Sequence, residues 1–161
     1  MAAVLSRPAR IATLTVSNGA HLGASIQRAD AWRRQLDEGG SKGWSDAFLR
    51  DRFHDGALSP ERRAWFAAEQ EKWSRASILN ALGVLIGTDL TPSLADIRCP
   101  TLLLHPDGSP FIPVGVIADL LKRLPDAELN IFGRSRHGLP FSHAVQCAQA
   151  LRSFLDSRRA D

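Results

Sequence analysis

The sequence predicts an α/β fold built on a short parallel sheet, and three observations carry that prediction. Residues 101–105 are a short apolar run between Pro100 and the breaker Pro106-Asp107-Gly108, the pattern of a strand buried on both faces. Residues 113–124 place Val114, Ile117, Leu120 and Leu124 at helical spacing, with Pro113 suited to the first turn. After the Pro125-Asp126 stop, residues 129–132 form a second short strand. Strand, helix and strand in this order make a βαβ unit, whose strands are parallel and whose crossover is right-handed.

The remaining elements follow in chain order. Residues 1–6 read as the end of a helix, since Met1 to Leu5 are helix formers and Pro8 turns the chain out. Residues 10–16 read as a strand that stops at Ser17-Asn18-Gly19. From about Gly23 to Asp96 the chain reads as helices, with no convincing strand. Ile26, Ala29, Trp32 and Leu36 define a helix over 25–38 that Gly39-Gly40 stops, and residues 44–53 form a second, with Phe48 and Leu49 inward. Ser59-Pro60-Glu61 supplies an N-cap serine, a proline at the first position and an acid in the first turn of a third helix. Residues 75–86 make a fourth, with Ile78, Leu79, Leu82, Leu85 and Ile86 apolar. Gly83 inside it costs about 1 kcal/mol against alanine and suggests close packing at that point.

All four tryptophans fall in this helical segment. They either pack a small helical subdomain or line an apolar pocket as a lid over the strand ends. Ligands of open parallel sheets bind beyond the carboxyl ends of the strands. The strand at 101–105 delivers Asp107 and Ser109 to that edge, and the strand at 129–132 delivers His137 in a loop with Gly133, Ser135 and Gly138. An acid and a histidine on successive strand ends are the back half of a nucleophile–base–acid relay.

Several stretches resemble the carboxy-terminal half of the α/β-hydrolase family in order and spacing. They are Ile97-Arg98-Cys99-Pro100-Thr101-Leu102-Leu103-Leu104, Leu124-Pro125-Asp126-Ala127-Glu128-Leu129, Arg136-His137-Gly138 and Phe154-Leu155. Upstream, Arg7-Pro8-Ala9-Arg10-Ile11-Ala12-Thr13-Leu14 is similar to the strand that follows the family's nucleophile helix. The run from Trp32 through Gly39-Gly40 and Trp44-Ser45-Asp46 to Arg52-Phe53 looks like the cap of the 3-oxoadipate enol-lactonase branch. The resemblance implies that 1–19 and 97–161 are a partial hydrolase core and that 20–96 are a helical lid. It further implies hydrolysis of a carboxylic ester or lactone with His137 as general base. It calls for no cofactor and no metal.

The sequence departs from the family at two places. The family acid falls at Ser109, and Asp107 lies two residues earlier, so either a rearranged loop lets Asp107 orient His137 or the relay has no acid. Asn18, where some hydrolases keep the acid, can orient an imidazole without stabilising its charge. The family elbow, G-x-S-x-G between a strand and a helix, occurs nowhere in 1–161, and the nearest mimic after a strand, Thr15-Val16-Ser17-Asn18-Gly19, lacks the first glycine. The resulting expectation is a partial or split hydrolase with Asp107 and His137 as its catalytic residues, an open sheet edge available for self-association, and few helices to cover residues 102–104. The alternative is a non-catalytic binding or interaction protein that keeps the lid pocket.

Composition bounds the rest. Hydrophobic residues at 44% and charged residues at 23% suit a globular chain. The net charge of +3 comes from scattered arginines, and the pairs Arg33-Arg34, Arg62-Arg63 and Arg158-Arg159 suit solvated faces rather than a nucleic-acid groove. Cys99 and Cys147 form no C-x-x-C, which favours reduced thiols and a cytoplasmic setting over a disulfide scaffold. No stretch has the apolar character of a signal peptide or the roughly 18 apolar residues of a membrane span. The partner expected is therefore a small ester or lactone, with neither nucleic acid nor membrane involved.

Overall fold

The computed structural model describes residues 1–158, so Arg159 of the last arginine pair lies outside the described residues. Strands β1 (Leu14–Ser17), β2 (Thr101–Pro106) and β3 (Ala127–Phe132) form a parallel sheet in the order β1-β2-β3. The apolar run that predicted β2 makes it the central strand, buried at every residue. Alternation along the strand divides its leucines between two cores. Leu103 packs with Val4, Leu94, Ile97, Ile117 and Leu120, and Leu102 and Leu104 pack with Leu139, Cys147 and Phe154 on the other face. Each fully buried leucine contributes about 1.5–3 kcal/mol.

Helices cover both faces, contrary to the expected shortage. Val4 comes from α1 (Ala2–Ser6), and Ile117 and Leu120 come from α5 (Val114–Arg123). Leu139 lies in α6 (Leu139–Ser142), and Cys147 and Phe154 lie in α7 (Ala144–Ser157). β1 is shorter than the predicted 10–16, because Pro8–Arg10 takes a 3-10 turn opened by Pro8. Among the described residues β1 pairs only with β2, which leaves its other edge open.

The helical segment holds α2 (Ala29–Arg52), α3 (Pro60–Glu71) and α4 (Arg75–Ile86). α2 joins the two helices expected on either side of Gly39-Gly40. The break survives as a kink at Gly40, whose φ of 62° and ψ of −163° belong to glycine alone. Ser59 caps α3 as predicted, its hydroxyl accepting from Arg62 N at 3.3 Å, and Ser74 caps α4 by accepting from Ser77 N at 3.1 Å. Gly83 does not mark close packing: its helix face is exposed and open space surrounds the position a Cβ would take. The close approach is at Gly23, where an added Cβ would overlap the Leu85 and Ile86 carbonyls at the end of α4. The segment is bound there by Gly23 N donating to Thr88 O at 2.7 Å and Leu90 N donating to His21 O at 2.8 Å.

The tryptophans divide by role. Trp44 is buried with Leu36, Phe48, Ile78, Phe111 and Ile112, and Trp32 packs edge-on against Trp44, Phe48 and Phe111. Trp65 and Trp73 are 56% and 53% exposed and line no interior. Among the described residues, no helix is long and apolar enough to cross a membrane.

Candidate active site

Two loops meet at the carboxyl end of the sheet, one after β2 and one after β3. The β2–β3 ladder runs on into the first of them, as Asp107 N donates to Phe132 O at 3.0 Å and Gly108 N to Ser135 O at 3.1 Å. Asp107 is thereby held against the β3 loop. Its carboxylate accepts from Arg134 N at 2.9 Å and Ser135 N at 3.1 Å. Burial pulls the Asp107 carboxyl upward, but these donated backbone N–H bonds outweigh it and hold the group below the usual carboxylate range. The sequence expectation that Asp107 orients the His137 ring therefore differs from the observed contact. Its carboxylate is engaged by the loop backbone, because its own backbone still belongs to the ladder.

Ser109 takes the place beside the imidazole. Its Oγ lies 3.0 Å from His137 Nδ1 and accepts from Phe111 N at 3.3 Å and Ile112 N at 3.1 Å. Phe111 meets the His137 ring edge-on at 4.9 Å between centroids. The far end of this loop is tied to β2 by His105, whose fully buried Nε2 lies 3.0 Å from Ile112 O. A carbonyl only accepts, so that nitrogen carries the proton, and His105 is a hydrogen-bonded structural histidine.

The His137 loop is anchored from three further directions. Asn18, at a positive φ of 54° just past β1, donates its Nδ2 to the His137 carbonyl. Gly138 N donates to Arg52 O at 2.9 Å and Arg136 Nη1 to Arg50 O at 2.6 Å, so the end of α2 clamps the loop. Gly138 is required there, since a Cβ would overlap the Phe53 ring. The Arg52 guanidinium lies 4.0 Å over the Phe48 ring, and burial lowers it to about 10. Burial first, then repulsion from Arg52 and from His105, push the His137 imidazole down from 6.5 to about 3. The ring is therefore neutral at physiological pH.

His137 borders a cavity of about 340 Å³, within the range of small-molecule pockets. Its apolar wall includes Ile26, Trp32, Leu85, Phe111 and Ile112, and Asn18 adds a polar side chain. Asn18 Oδ1 and Trp32 Nε1 are buried without a hydrogen-bond partner. Of the tryptophans, Trp32 is the one on this wall.

The other candidates stand apart. Ser17 is exposed on β1 and is not part of the cavity wall. His143 is the residue before α7, with Nδ1 2.8 Å from Ser142 Oγ. His21 is buried with Nε2 3.1 Å from Asp119 Oδ2. His54 lines a separate, open depression with His143 and Arg134. Cys99 and Cys147 are free thiols, and burial raises Cys147. Among the described residues no cluster of three or more His, Cys, Asp or Glu side chains could hold a metal ion. Sequence reasoning missed Phe111 and Arg52. Phe111 was signalled only by lying in the Ser109 loop, and nothing local links Arg52 to His137.

No family model matches the chain. Sequence relatives do. The chain is 35% identical over 81 residues to a pimeloyl-[acyl-carrier protein] methyl ester esterase of Aromatoleum aromaticum, covering 50% of this chain and 32% of that protein. It is 28% identical over 111 residues to an AB hydrolase superfamily protein of Bacillus subtilis, covering 69% and 41%. In three dimensions it matches the crystal structure of the enol-lactonase from Burkholderia xenovorans LB400 with a TM-score of 0.83 at 18% identity, over 96% of this chain and 60% of that one. The chain thus spans 32% and 41% of the curated relatives named here. The sequence relatives are hydrolases, among them an AB hydrolase superfamily protein, and over the part it spans the chain is similar to them in sequence and has the α/β-hydrolase fold of the enol-lactonase.

Proposed function

We propose that the protein acts on a small carboxylic ester or lactone, held in the cavity beside His137. The observation that carries this reading is the placement of His137. It stands at the carboxyl end of a parallel sheet, on a clamped loop, in the wall of a mainly apolar cavity of about 340 Å³. The names of the relatives, an ester esterase and an enol-lactonase among them, support the same substrate class. In this reading His137 is the histidine that meets the substrate, residues 1–19 and 97–161 supply the core, and 20–96 form the lid. Asp107 serves by holding the 134–135 loop that carries His137. The nucleophile would come from outside residues 1–161, whose G-x-S-x-G at Gly39-Gly40-Ser41-Lys42-Gly43 lies inside α2 rather than between a strand and a helix, with Ser41 Oγ donating to Trp73 O at 2.8 Å.

A second reading, a binding protein that keeps the pocket without turnover, is favoured by one observation: Ser109 stands where the family has its acid. The two readings separate in one experiment. The natural gene product is offered p-nitrophenyl esters and γ-butyrolactone, alongside His137→Ala. Hydrolysis lost in the variant supports the hydrolase. Saturable binding that quenches Trp32 fluorescence, with no His137-dependent turnover, supports the binding protein. If neither is seen, both readings fail.

A further inference from the structure

We propose that Ser109 locks His137 in its Nε2–H tautomer, so that the ring meets a ligand as a hydrogen-bond donor, and the ligand is one that presents an acceptor oxygen such as an ester or lactone carbonyl. This rests on the reading of His137 as the central group of the site. A serine hydroxyl has one hydrogen to give and two lone pairs to receive with. Phe111 N and Ile112 N, at 3.3 and 3.1 Å from Ser109 Oγ, can only donate, and they occupy both lone pairs. The single O–H then has one remaining partner, His137 Nδ1 at 3.0 Å. Nδ1 must accept, and a neutral imidazole that accepts at Nδ1 carries its proton on Nε2.

The consequence runs against the usual relay. A carboxylate beside Nδ1 only accepts, which puts the proton on Nδ1 and leaves Nε2 free to take one from a nucleophile. Here Nε2 is the nitrogen away from Ser109, on a ring that borders the cavity, and it already bears a proton. Charging the ring would place an N–H on Nδ1 facing the Ser109 O–H. Relieving that clash needs the hydroxyl to rotate, which displaces one of two backbone donors. Burial and the Arg52 charge oppose the imidazolium in the same direction. Ser109 is therefore a positioning residue that sets the polarity of His137.

The test reads the ring directly. Long-range proton–nitrogen NMR correlations on ¹⁵N-histidine-labelled protein, with His137→Gln for assignment, distinguish the tautomers in the absence of ligand. The wild type is expected to show Nε2 protonated and Nδ1 bare at neutral pH. Ser109→Asp should move the proton to Nδ1 and raise proton affinity at His137 at least about tenfold. Ser109→Thr, which keeps a hydroxyl, should retain the Nε2–H form and guards against a loop that collapses on substitution. A wild-type ring protonated on Nδ1, or a folded Ser109→Asp protein with tautomer and titration unchanged, overturns the proposal. Either result would leave the ester or lactone reading standing, since that reading is judged by binding and turnover.

Discussion

Acidification should destabilise the protein through His137 before its carboxylates are protonated. Burial first, then Arg52 and His105, hold the folded imidazole at about 3 against 6.5. Between those values the unfolded chain binds a proton at this site and the folded chain does not. Stability contributed by the neutral ring is therefore complete above the unfolded value and is lost as pH falls towards the folded one. The slope is about 1.4 kcal/mol per pH unit, so about 2–3 kcal/mol is lost by about pH 4.5. His105, also lowered chiefly by burial, adds to the loss in the same direction. Asp89, Asp107, Asp119 and Glu61 are all lowered from ordinary carboxylate values, so their contributions fade only at more acid pH, below about 4. Urea denaturation between about pH 4.5 and 8, run on wild type and His137→Gln, isolates the term as the difference between the two slopes. The wild type should fall more steeply below the unfolded histidine value. Curves that stay parallel to within about 0.5 kcal/mol would refute the claim that His137 is held neutral by its surroundings.

Two further outcomes follow from packing. Gly83→Ala should stabilise α4 by up to about 1 kcal/mol, since the position is exposed, helical and open, and a thermal melt that falls instead would show a contact at that face. Asp107→Ala removes the acceptor for Arg134 N and Ser135 N beside the buried Ser135, at a cost of about 1–3 kcal/mol. The His137 tautomer should stay as in the wild type, and an NMR spectrum with the proton moved to Nδ1 would show that Asp107 acts on the ring itself.

What the sequence determined by itself is what depends on neighbours along the chain. Apolar periodicity gave α4 as Arg75–Ile86 and marked β2 as buried on both faces, and cap chemistry put the start of α3 at Ser59. Glycine at position 40 signalled a break whatever its surroundings, although only packing decided that the break would be a kink within α2. His137 stood out because a histidine in a Gly- and Ser-rich loop after a strand has few local roles. Its partner could not be read in the same way. Asp107 and Ser109 lie two residues apart in one loop, and both suit a turn. Tertiary structure chose between them: the ladder continues through Asp107 N to Phe132 O, which commits the carboxylate to the 134–135 backbone, and Ser109 lies past the ladder, where its side chain meets the ring. Arg52 and Phe111 reach His137 from far along the chain through the end of α2 and the β2 loop. Contacts of that kind depend on register and on where loops end, which no periodicity encodes.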